Sequence, residues 1–117
     1  MNGPLEGVKI IDLTSMISGP SATMILADQG ADVVKIENTL AGDYTRIVNT
    51  SRGGFSAAFI NNNRNKKSIC VDLKSEKGKN IFFQLVKTAD VVIQNFRPGV
   101  MDRLGIGYEN ILKINRS

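Results

Sequence analysis

The chain has 117 residues, 42% of them hydrophobic and 22% charged, which is ordinary composition for one globular domain with one core. The net charge is +4, there is no histidine and one cysteine, Cys70, so histidine catalysis, a His or Cys zinc site and an internal disulfide are excluded. No apolar run reaches the ~20 residues of a membrane span and the start, MNGPLEG, lacks the basic-then-apolar order of a signal peptide; the expectation is a cytoplasmic protein with no membrane partner and no metal.

Residues 7–13, GVKIIDL, form a short apolar run after a glycine and predict a buried strand. A helix follows, with Pro20 in its first turn, Ser18 or Gly19 as cap, Ala22, Ile25, Leu26 and Gln29 on one face, and Gly30 as its stop. Residues 31–37, ADVVKIE, predict a second strand, so the first third of the chain is a right-handed parallel βαβ unit. Residues 38–56 lose all periodicity, carry Gly42, Gly53 and Gly54, and predict a long loop of functional interest.

The following AAFINNNRNKK fits a helical turn, and residues 68–73, SICVDL, a third strand. Ser75 caps a helix whose inner face is Ile81, Phe82, Leu85, Val86 and Ala89. DVVIQNF is a fourth strand, Pro98 begins a short helix, and YENILKINR is a last amphipathic helix with Ile111, Leu112 and Ile114 inward. The order predicts an α/β fold, a Rossmann-like, mostly parallel sheet with flanking helices. It stops after a helix with no further strand, and so reads as an incomplete large domain, the N-terminal piece of a longer protein.

Ligands of open α/β sheets lie beyond the carboxyl ends of the strands. That rim holds residues 14–20, 73–75 and 95–99, with Lys74, Arg97 and Arg103 as cations and two helix N-termini favouring an anion. Each element also has a plainer use: Pro98-Gly99 as punctuation, Ser18-Gly19-Pro20 as a cap, Phe96 as a core ring, Arg103 as a surface pair of Asp102 or Glu109. Six basic residues against two acidic ones between Arg64 and Lys79 form a basic segment, either an anion-binding patch or a solvated face. A dinucleotide site is disfavoured, although Glu37 ends the second strand. The first turn reads TSMISGP instead of G-x-G-x-x-G, and Met16, Ile17 and Pro20 would block a pyrophosphate. Nucleic acid as partner rests on the basic segment alone, and no binding motif accompanies it.

The stretches PLEGVKIIDLTSMISGPSATMILADQGADVVKIE, GDYTR, NNNRNKKSICVDLKSEKGK and ADVVIQNFRPGVMDRLGIGYENILKIN together resemble the start of the class III CoA-transferases, the CaiB/BaiF group of formyl-CoA transferases, carnitine-CoA transferases and related 2-methylacyl-CoA racemases. The resemblance covers nearly the whole chain. It implies that residues 1–117 are the N-terminal CoA-binding part of a larger domain, that coenzyme A or acyl-CoA is the ligand, and that subunits form an interlocked homodimer. It places CoA contacts at Ile17 and Ser18, at Val71, Asp72, Leu73 and Lys74 along the adenosine part, at Asn95, Phe96 and Arg97, and at Arg103 near a phosphate.

The family's nucleophilic aspartate falls beyond Ser117, which implies no catalytic residue and no activity in this chain alone. Asp12 and Asp32 read as structural, and Asp43, in G-D-x-x-R, as loop structure. Two positions depart from the family pattern: Asn38 stands where many members have arginine, and Ile17 where formyl-CoA transferases have glutamine, which weighs against oxalate or formate. The alternatives are a non-catalytic assembly fragment that binds no CoA, and an acyl-CoA racemase relative.

Overall fold

The structure, a computed structural model, describes residues 3–40, 42–46, 51–52 and 55–116. Four strands, β1 (Lys9–Asp12), β2 (Asp32–Glu37), β5 (Lys67–Cys70) and β6 (Val91–Ile93), form one sheet in the order β5-β2-β1-β6. All three pairings are parallel, with Ile10 opposite Val33 and Val91, and Ile36 opposite Ile69. β3 (Ser51–Arg52) and β4 (Phe55–Ser56) form a separate antiparallel pair. The helices are α1 (Ser18–Asp28), α2 (Ala57–Asn62), α3 (Glu76–Val86), α4 (Val100–Leu104) and α5 (Tyr108–Ile114).

Strand alternation gives the sheet two cores. Ile11, Leu13, Ile36 and Val71 meet Phe82, Val86, Ala89 and Ile106 on the α3 side, where Ile111 of α5 also packs. Ile10 and Val33 point the other way, with Ala27 and Ala31 and the half-buried Leu26 around α1. Helices therefore cover both faces, as a parallel sheet requires. The order turns back at β1: β2 and β5 lie on one side of it and β6 on the other, so the crevice between the ends of β1 and β6 is the switch point of the fold.

The strands are shorter than the apolar runs suggest, because residues such as Leu13, Val71 and Phe96 continue the core beyond the hydrogen-bonded ladder. α1 turns a different face inward from the one expected. Pro20, Thr23 and Ala27 are buried while Ile25 is 52% exposed and Ala22 and Gln29 are exposed. Small side chains let this helix approach the sheet, and the Thr23 hydroxyl has a buried partner in Asp12. In α3, Phe82 and Val86 are buried as expected, but Ile81 flanks the stripe and is exposed, as is Ile114 of α5.

Ser75 caps α3 by accepting the Gly78 N–H at 2.9 Å. α1 has no side-chain cap; its N-cap is Ile17, not Ser18 or Gly19. α4 begins at Val100, with Gly99 as a left-handed N-cap at φ 86°, so Pro98-Gly99 is the turn before the helix and Pro98 is not its first residue. The expected long loop contains a 3₁₀ turn, Tyr44–Arg46, and the β3–β4 pair; Gly53 and Gly54 lie outside the described residues.

Candidate functional site

Three buried acids lie at or just after the carboxyl ends of β1 and β2, and each is engaged by internal partners. Asp12 Oδ1 accepts the Thr14 N–H at 2.8 Å and the Thr14 hydroxyl. Its Oδ2 accepts the Thr23 hydroxyl at 2.6 Å and the Lys66 ammonium at 2.9 Å. Lys66 also donates to Pro20 C=O and Asn63 Oδ1. Burial alone would raise the pKa of Asp12; the two hydroxyls and the nearby lysines outweigh it and hold the carboxyl below its usual range.

Glu37 is bound still more fully. Its Oε1 accepts the Asp43 N–H and Arg46 Nε, both at 2.7 Å, and its Oε2 accepts Arg46 Nη2 at 2.8 Å and the Ser68 hydroxyl. Against the cost of burial, the Arg46 and Ser68 hydrogen bonds and the Asp43 N–H pull its pKa down to about 2. Arg46 in turn lies 3.7 Å over the Phe59 ring. A carboxylate so engaged does not serve a ribose.

Asp43 is the third acid. Its Oδ2 forms an ion pair with Lys35 Nζ at 2.8 Å, off the line of a hydrogen bond. Its Oδ1 accepts the Thr45 N–H at 2.9 Å, the Thr45 hydroxyl at 2.8 Å and the Met16 N–H at 3.2 Å. Burial works to raise its pKa, but Lys35 and Thr45 leave it lowered. Lys35, 1% exposed in the middle of β2, spends its other contact on Thr14 C=O at 2.9 Å.

These side chains converge on the β1–α1 elbow, Thr14 to Ile17. At Ser15, Asn95 reaches across the switch crevice: its Nδ2 donates to Ser15 C=O at 2.8 Å and its Oδ1 accepts the Ser15 N–H at 3.2 Å. Met16 stands at φ 73°, a left-handed conformation uncommon outside glycine. The elbow presents Met16 and Ile17 outward, 41% and 59% exposed. Behind it, a Cβ on Gly19 would come within 2.4 Å of Thr14 Cβ, so only glycine lets α1 start this close to β1.

The expected site residues fall into two groups. Ile17 and Ser18 on the elbow side and Asn95, Phe96 and Arg97 after β6 meet at the switch crevice through the Ser15–Asn95 pair. Phe96 is half-buried against the α3-side core, and Arg97 and Arg103 are exposed, with the Arg103 guanidinium lying over Gly99. Val71 to Lys74 stand at the opposite end of the sheet, beyond β5. There Val71 is buried, Leu73 half-buried, Lys74 exposed, and Asp72 Oδ1 accepts the Lys74 N–H at 3.0 Å. β5 lies two strand spacings, ~10 Å, from β1 and three, ~14 Å, from β6.

The basic segment is dispersed by folding. Arg64 pairs with Asp28, Lys66 with Asp12, Lys67 with Asp32 and Lys79 with Glu76. Among the described residues Lys74, Arg97 and Arg103 make no ion pair. A concavity of about 450 Å³ follows β6, an edge strand among the described residues, and is lined by Val91, Val92, Gln94, Arg97, Met101 and Ile111 among others. Of the expected site residues only Arg97 lines it. No group of three or more His, Cys, Asp or Glu side chains among the described residues is arranged to hold a metal, and no described helix is long and apolar enough to cross a membrane.

The profile of CoA-transferase family III matches residues 5–117. The chain belongs to that family. It is 49% identical over 113 residues to an acetyl-CoA:oxalate CoA-transferase of Acetobacter aceti, covering 97% of this chain and 29% of that protein. It is 47% identical over 112 residues to the human succinyl-CoA:glutarate CoA-transferase, covering 95% and 26%. A crystal structure of a CaiB/BaiF family protein from Brucella suis superposes with a TM-score of 0.91 at 39% identity, covering 98% of this chain and 32% of that one. The family III chain thus spans between a quarter and a third of the length of these relatives, and its sheet is a partial domain of the family fold.

Sequence reasoning placed the rim of this family III chain but missed what holds it. Lys35 inside the apolar DVVKIE strand was one available signal, since a lysine buried in a sheet requires a partner. Asp43, read as loop structure, is such a partner.

Proposed function

We propose that residues 1–117 are the CoA-binding part of a class III CoA-transferase, which moves CoA between an acyl-CoA thioester and a carboxylic acid. The observation that carries this reading is the partition of cations: Lys66 is buried on Asp12, whereas Lys74, Arg97 and Arg103 stand exposed at the carboxyl rim without an ion pair among the described residues. Forked guanidinium donors suit phosphate oxygens, and the ~10–14 Å between the strand ends that carry the two groups of rim residues suits an extended nucleotide with a long arm. Ile17 and Met16 offer apolar surface where that arm would turn into the switch crevice.

Chemistry in this reading needs a carboxylate free to attack a thioester, and Asp12, Glu37 and Asp43 are committed to internal partners. In this reading none of these three acids is the nucleophile. The relatives take different acceptors, oxalate in one and glutarate in another, while sharing this quarter of the chain. The part in hand holds the common CoA handle, and Ile17 alone selects no acceptor. Calorimetry with CoA tests the proposal: binding that weakens as salt rises supports it, and absence of heat at millimolar CoA would refute it.

The groove along β6 supports homodimerisation as part of the same reading. Among the described residues no strand pairs with the outer edge of β6, and an apolar edge of that kind is a usual place for a further strand or a second copy.

A further inference from the structure

We infer that Asp43 is a positioning residue for CoA, fixing the β1–α1 elbow through the Met16 N–H. The inference rests on the CoA-binding reading above. Met16 occupies a left-handed backbone conformation, φ 73°, that a side chain with a Cβ adopts only when its surroundings impose it. Those surroundings are visible bond by bond. Thr14 is held by Asp12 and Lys35, Ser15 by both polar atoms of Asn95, and the Met16 N–H by Asp43 Oδ1 at 3.2 Å.

Asp43 is itself held on every side. Its N–H donates to Glu37, its Oδ1 accepts from Thr45, and its Oδ2 faces Lys35. Gly42, at φ 72°, lets the chain pass over Glu37; a Cβ there would sit 2.6 Å from Glu37 Oε1. Arg46 clamps the same carboxylate from the other end of the turn. The G-D-x-x-R turn is thus a rigid bracket, and the strained elbow it holds presents Met16 and Ile17 to the crevice. A loop built only to neutralise Lys35 would need Asp43 Oδ2 and would have no use for Oδ1 on a neighbouring loop.

Two double variants separate these roles. Lys35→Met with Asp43→Asn removes the ion pair but keeps an oxygen for the Met16 N–H. Lys35→Met with Asp43→Leu removes both. Both are compared where circular dichroism shows them fully folded. The Leu variant should exchange its Met16 amide hydrogen about tenfold faster and bind CoA about tenfold more weakly than the Asn variant. Equal CoA affinities in the two would overturn the inference, whether or not exchange differs. If neither variant folds, exchange of the Met16 amide in the unaltered chain decides: protection supports the clamp, and the rate of a free peptide overturns it. If the unaltered chain binds no CoA, the CoA reading fails separately, and the exchange comparison alone decides whether Asp43 holds the elbow.

Discussion

Glu37→Gln removes the charge at the centre of the bracket while keeping its shape. Four donors converge on the carboxylate: Arg46 twice, the Asp43 N–H and the Ser68 hydroxyl. Its pKa is about 2 in the fold against an ordinary 4.5. That difference is worth about 3 kcal/mol of stability near neutral pH, of the same order as breaking a buried ion pair. The sign follows from the direction of the shift. A lowered carboxyl pKa contributes stability that is full above 4.5 and is lost as pH falls toward about 2. Urea unfolding at neutral pH and at steps down through this window reads both effects. The variant should be less stable by about 3 kcal/mol at neutral pH, and the gap should close as the solution is acidified, because the parent loses what the variant never had. A variant whose stability falls in parallel with that of the parent across the whole window would show that Glu37 does not carry this linkage.

Arg103→Ala should weaken CoA by about 1–3 kcal/mol if its partner is a phosphate, and unchanged calorimetric affinity would remove Arg103 from the site. Met16→Gly should raise thermal stability by up to about 1 kcal/mol, relief of the left-handed strain exceeding the added backbone entropy; a lower melting temperature would contradict the strain argument. Phe82→Ala, at a fully buried position between α3 and the sheet, should cost about 3–5 kcal/mol in urea unfolding. The open β6 edge should drive self-association, which sedimentation at concentrations on the order of tens of micromolar would detect; a clean monomer there counts against it.

The four strands of the main sheet and their parallel direction were legible because Ile10, Ile11, Val33, Ile36 and Val92 lie in short apolar runs spaced by helices, whereas the β3–β4 pair was not. The inner face of α1 was not legible. Its buried stripe is Pro20, Thr23 and Ala27, and the larger Ile25 draws the eye to the wrong side; what decides is space against the sheet and a partner for Thr23. The basic segment misled for a similar reason. Proximity in sequence says nothing about partners, and Lys66 finds Asp12 at a separation of 54 residues. The left-handed Met16 left no local trace either: its N–H bonds Asp43, and the preceding Ser15 bonds Asn95, both on distant loops.

The two uses of positive charge in this chain follow from where the backbone places each side chain. Lys35 and Lys66 point inward, at 1% side-chain exposure each, so each needs an acid and hydrogen-bond acceptors to offset desolvation, and they find Asp43 and Asp12. Burial still presses on such a pair: it lowers the Lys66 pKa even against the attraction of Asp12. Lys74, Arg97 and Arg103 follow strand ends or sit on a short helix, where water solvates them and no acid is required. The inward pairs set the elbow and the bracket; the outward cations remain available to an anion. The rim is therefore tied down by internal pairs at the elbow and carries exposed cations at the strand ends.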